Sequence, residues 1–231
     1  MSWLRPLRDV VAGAQAVLLA ATMIVLIAFL GEFVQHVAEI QLGMFASREA
    51  FVAQQGSPVR MAFGVLKVSA LLVTVGWSAR WLAARHRDTR PGLDRRADWL
   101  CLIVLTAISV SALMVVLLAP IAEGKARLVA LAVVAVACVP ASRLMMDALF
   151  GQPRQNWRQA LRRRPMPGLI EMVAVLPVPF LMFLHFKNHS LAFGAPPAFV
   201  WAVMVWDAAL VAVLAVLLGA LTYRFYRAPP A

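Results

Sequence analysis

The sequence predicts an all-α polytopic membrane protein, a six-helix transmembrane bundle whose first helix extends beyond the outer face. Three observations carry that prediction. Of 231 residues, 62% are hydrophobic and the mean hydropathy is +0.80, whereas a soluble domain is roughly 45–50% apolar. The apolar residues gather into runs of about twenty, the length that crosses a hydrocarbon core roughly 30 Å thick. The basic residues fall into short connectors with a one-sided bias. A spanning segment must satisfy its backbone hydrogen bonds internally, which favours helices. So little chain lies outside the runs that residues 1–231 read as a single integral membrane domain.

The first run, 10–30, follows MSWLRPLRD and mimics a signal peptide. It is too long for one, and Phe29-Leu30-Gly31-Glu32 offers no small-residue cleavage site, so it reads as a retained span. Beyond it, Phe33, Val37, Ile40 and Met44 recur at helical spacing, with Phe33, Val37 and Ile40 expected as an inward apolar stripe. They carry the helix outward to about Phe45, a rod of roughly 50 Å. Ser47 is placed to cap a short second helix that ends before the turn cluster Gln55-Gly56-Ser57-Pro58. Further spans are expected over 61–82, 99–119, 128–150, 169–186 and 198–223. The fifth carries Pro177 and Pro179, tolerable where neighbouring helices satisfy the freed carbonyls. Between 152 and 165, Trp157 and Leu161 stand four apart among arginines. This suits a helix in the headgroup layer with Arg158, Arg162, Arg163 and Arg164 toward anionic lipid, or an ordinary basic loop.

Orientation follows from the Lys and Arg residues. Sixteen fall on the side of the termini and of the connectors after the second and fourth spans, five on the other side, and Lys67 within a span. The positive-inside rule makes the termini cytoplasmic. A net charge of +11 carried by short loops, without aromatic interleaving, argues against nucleic acid as a partner. The lipid bilayer is the expected partner, with a second membrane protein or another copy of the chain as alternatives. Cys101 and Cys138 lie in apolar runs with no metal or redox spacing. A composition rich in Ala, Val, Leu and Arg and poor in Lys suggests a bacterial inner membrane.

Ionisable groups at spanning depth are costly and point to function. Lys67 and Asp207 lie within the second and sixth spans and form either a buried ion pair or, with Glu32, an ion or substrate pocket. Glu32, Gln35, His36 and Glu39 share one helical face. Histidine and carboxylate three apart can share a metal, and helical bundles build such sites from several helices. His185 and His189 fall on the same outer side, so His36, Glu39, His185 and His189 are candidate ligands for a divalent metal or a haem. The plainer reading is a solvated face with Lys67 or Lys187 as ion partner. H-E-x-x-H, G-x-S-x-G and P-loop motifs are absent, so no catalytic residue is assigned.

Three functions follow. The first is a transporter-like protein handling a small solute or cation through an outward-facing pocket. The second is an assembly subunit, packing through small residues at Ala12, Ala16 and Ala20 and at Ala208, Ala212 and Ala215. The third is an intramembrane metalloenzyme using Glu32, His36 and Glu39.

Overall fold

A computed structural model describes residues 4–86 and 177–227, with side chains to Arg224. Among these residues the chain forms six α-helices and no strand: α1 Arg5–Ala20, α2 Thr22–Gln41, α3 Arg48–Gln54, α4 Pro58–Arg85, α5 Pro177–Ala192 and α6 Pro197–Arg227. Three stretches, Thr22–Gln41, Pro58–Arg85 and Pro197–Arg224, are long and apolar enough to cross a membrane, which supports a membrane-spanning chain. The spans expected over 99–119 and 128–150, the start of the fifth, and Arg158, Arg162, Arg163 and Arg164 lie outside the described residues. The helices up to Leu82 and from Pro177 belong to one compact unit, which contains everything that follows.

Within that unit α1 and α2 run antiparallel along α6. Asp9 stands 3.5 Å from Arg224 at one end, Ala28 packs with Ala212 and Ala215 in the middle, and Phe45 packs with Val200 and Met204 at the other end. Helix α4 lies beside both and is antiparallel to α2. Two glycines permit its close approach. A Cβ on Gly31 would stand 2.5 Å from Ala70 Cβ, and one on Gly219 would stand 2.5 Å from Ser78 Cβ. Thr74 of α4 also donates to the Ile24 carbonyl at 3.2 Å, an interhelical bond of the kind that joins helices in lipid.

The expected continuous rod is interrupted. Ala21 leaves helical conformation at φ −128°, ψ 48° and divides the first run into α1 and α2. Neither Gly nor Pro marks the place, and the span-length helix is Thr22–Gln41, roughly three helical turns later than 10–30. Of the small residues on α1, Ala12 and Ala20 are exposed and Ala16 is half-buried, while Val10, Ala14 and Val17 are buried. On α6, Ala208, Ala212 and Ala215 are buried within the chain.

The inward stripe of α2 is the reverse of the expected one. Phe33, Val37 and Ile40 are only partly covered, whereas Glu32, Gln35, His36 and Glu39 are buried. Helix α4 repeats the pattern, with Thr74 and Ser78 buried and Val65, Leu66, Val73 and Trp77 exposed. In water such a fold would place its apolar surface on the wrong side. In lipid, large apolar residues face the hydrocarbon and small or polar ones pack between helices.

Candidate functional site

Two helix ends are shaped to hold the site. Helix α2 stops in a Schellman motif: Gly43 at φ +67° donates to the Ile40 carbonyl, and Met44 donates to the Glu39 carbonyl at 3.0 Å. Glycine serves there because it adopts the left-handed conformation without a Cβ penalty. Helix α5 turns into α6 through Gly194, φ +68°, whose amide donates to the Phe45 carbonyl at 2.9 Å. That bond joins the two turns. Between them Ser47 caps α3 as expected, accepting from the Ala50 amide at 3.1 Å. Phe45, Phe51 and Phe193 pack on one another and cover His189.

Beneath this cover four helices converge. Asp207 of α6 is the hub. Its Oδ2 lies 2.7 Å from His185 Nδ1, 3.0 Å from His36 Nε2 and 3.7 Å from His189 Nε2. Its Oδ1 accepts from Asn188 Nδ2 at 2.7 Å. The other ring nitrogen of His36, Nδ1, faces Glu39 Oε2 at 3.3 Å. Glu39 Oε1 accepts from Gln35 Nε2 at 2.7 Å and from Arg60 Nε at 3.3 Å. Glu32 Oε1 stands 2.7 Å from Lys67 Nζ and 3.3 Å from His36 Nε2.

Glu32, His36, Glu39 and Asp207 are wholly inaccessible, while His185, His189, Lys67 and Arg60 keep 12–25% of their side-chain surface exposed. The network therefore grades from a closed interior to an edge that meets the surroundings. Glu32 Oε2 and His189 Nε2 are buried atoms without a hydrogen-bond partner among the described residues. Ligand atoms of His36, His189 and Asp207 lie within 4.8 Å of one another, as do those of Glu32, His185 and Asp207.

Most of the residues singled out by sequence meet here, in a different pairing. Lys67 pairs with Glu32 and not with Asp207, because Gly31 brings the α4 backbone against α2 one residue from Glu32. The face from Glu32 to Glu39 is buried and not solvated. Lys187 is exposed and takes no part. Glu39 Oε2 meets the Nδ1 of His36, the nitrogen that faces away from Asp207. Sequence reading missed Asn188 and Arg60 as members of the site. Asn188 lies three residues after His185 on the same helical face, and Arg60 lies seven before Lys67.

Comparison of the chain with family models, with curated proteins and with solved structures finds no match. The class is therefore defined by the fold and site alone: a helical protein with span-length helices that encloses a histidine–carboxylate cluster.

Proposed function

We propose that the chain is a multi-pass inner-membrane protein, with six spans and both termini cytoplasmic, that handles a small cation through an outward-facing polar pocket. Glu32, Lys67 and Asp207 line the pocket together with the three histidines. One observation carries the reading: four fully buried ionisable side chains are linked across α2, α4, α5 and α6 and reach a partly exposed edge at His185, His189, Lys67 and Arg60. A structural latch needs one ion pair. A continuous network of this size, costly at spanning depth, is what ion and proton pathways use. In the same reading, Arg158, Arg162, Arg163 and Arg164 face anionic lipid on the cytoplasmic side.

The test is flux into vesicles containing the purified full-length chain, followed with a pH-sensitive and a metal-sensitive dye. Asp207→Asn should abolish cation movement that the wild type supports. Equal flux through the variant, or none above empty vesicles for the wild type, would remove the transport reading.

A second reading, an assembly subunit, is favoured by Phe180, Phe183 and Phe186, which form an exposed face along α5. A stoichiometric membrane partner that co-purifies through that face, and is lost on its replacement by alanine, would support it over transport.

A further inference from the structure

Resting on the cation-handling reading, the structure assigns the occupant: we infer that His36 Nε2, His185 Nδ1, His189 Nε2 and Asp207 Oδ2 form a mononuclear site for a divalent first-row transition metal. The first argument is saturation. A carboxylate oxygen offers about two lone pairs, yet three imidazole nitrogens surround Asp207 Oδ2 at 2.7, 3.0 and 3.7 Å. Hydrogen bonding satisfies His185 and His36 and leaves His189 Nε2 with no partner among the described residues. A single ion placed among the four atoms gives every one of them a partner.

The second argument is the surrounding support. Metal-bound histidines characteristically hold a carboxylate on their other nitrogen, which fixes ring orientation and tautomer. His36 has that arrangement, with Glu39 on Nδ1 and Glu39 itself held by Gln35 and Arg60. Asn188 occupies Asp207 Oδ1 and leaves Oδ2 for the centre. A proton network has no need of such a shell around one nitrogen.

The third argument is charge. Glu32, Glu39 and Asp207 face two fixed cations, Arg60 and Lys67, so with neutral histidines the cluster carries one excess negative charge and favours a cation at its centre. Tetrahedral bonds of about 2.0–2.2 Å put neighbouring ligand atoms roughly 3.3–3.6 Å apart. Ligand atoms of His36, His189 and Asp207 already lie within 4.8 Å of one another, and His185 Nδ1 joins them through Asp207 Oδ2 at 2.7 Å. Three imidazoles and one carboxylate suit zinc, copper, iron or nickel and not magnesium or calcium, which prefer all-oxygen shells. Glu32, whose ligand atom lies within 4.8 Å of those of His185 and Asp207, is placed for an added ligand or for a proton acceptor beside one.

The experiment uses the full-length chain in mild detergent, purified without a histidine tag and titrated with Zn(II), Co(II) and Mg(II). One equivalent of Zn(II) or Co(II) should bind, Co(II) with the intense visible absorption of a tetrahedral nitrogen–oxygen site, and Mg(II) should not. His189→Ala is the discriminating variant, since that ring makes no hydrogen bond to the cluster; its melting temperature without metal, lowered by the packing lost against Phe45 and Phe51, is the baseline for its titration. The substitution should weaken Zn(II) binding by more than the roughly 10–100-fold that loss of a supporting contact costs. Glu39→Gln, a supporting variant, should fall within that range. Binding well below one equivalent, or unchanged affinity in His189→Ala, overturns the assignment. If metal fails to bind while flux still requires Asp207, the pocket carries protons and only this inference falls. If metal binds without flux, the site stands and transport falls.

Discussion

Lys67 Nζ stands 2.7 Å from Glu32 Oε1, and the same pairing recurs one heptad away, where Arg60 reaches Glu39. Two carboxylates seven residues apart on α2 meet two cations seven residues apart on the antiparallel α4. This double match sets the register between the helices and leaves Asp207 free of any lysine or arginine among the described ion pairs.

Removing one partner of the buried pair strands the other. Glu32 is wholly buried, and breaking such a pair costs about 3–5 kcal/mol because an uncompensated charge remains. Lys67→Met should fall near the lower end, since Lys67 keeps some solvent contact. The double variant Glu32→Gln with Lys67→Met should recover most of the lost melting temperature in detergent. An unchanged melting temperature in Lys67→Met would show that the pair does not hold α2 to α4.

Gly31 makes the approach of α4 possible, and the effect of filling it is steric. A Cβ at this position would stand 2.5 Å from Ala70 Cβ and 3.6 Å from Lys67 Cα. Gly31→Ala must push the helices apart, at a cost of about 1–3 kcal/mol typical of overpacking, and lengthen the Glu32–Lys67 contact. Ala70→Gly in the same chain should restore stability by making room for the methyl. Failure of that rescue would place the critical contact elsewhere.

The span-forming helices and the polar face of α2 are legible in the sequence because both rest on local properties, apolar run length and residues recurring every three or four positions. Ser47 and the α3 turn were legible for the same reason. The break at Ala21 was not, since no proline or glycine announces it. The α2 stripe points opposite to the rule for water, apolar inward, because the surroundings of the helix reverse that rule. Pairings between helices depend on register, which no single stretch encodes. The seven-residue spacing shared by Glu32–Glu39 and Arg60–Lys67 is the available clue to that register, and it lies divided between two distant stretches of sequence.

Helix α3 depends on its cap. Ser47 accepts from the Ala50 amide, and Ser47→Ala should cost about 1 kcal/mol of local stability. Glu49 in the first turn is held below its ordinary value of 4.5, first by a bond to its own backbone amide and then by Ser47. Because its folded pKa is depressed, its contribution is complete above about pH 4.5 and is lost as pH falls below that through the folded value. Carboxyl NMR of Glu49 should show the depressed midpoint in the wild type and a return toward 4.5 in Ser47→Ala. An unmoved midpoint would mean that the serine contributes nothing to it.

Arg60 links the α3 cover to the buried network. Its Nε donates to Glu39 at 3.3 Å, a terminal nitrogen donates to the Gln55 carbonyl at 3.3 Å, and the guanidinium lies 5.7 Å from the Phe51 ring centroid. Arginine makes these contacts together because its donors are fixed in a plane that also stacks on an aromatic ring. Lysine carries the charge as a single point and cannot keep all three. Arg60→Lys should therefore preserve the helices while loosening α3 by about 1 kcal/mol, the sum of a lost carbonyl bond and a weakened ring contact. Amide hydrogen exchange across 47–57 should quicken roughly fivefold, with little change along α6, because 1.4 kcal/mol corresponds to about tenfold in an opening equilibrium. His189 lies under Phe51 at a ring separation of 6.0 Å, so the same variant should speed Zn(II) exchange at the site more than it changes equilibrium affinity. Equal exchange rates in the two proteins would show that α3 does not control access to the histidines.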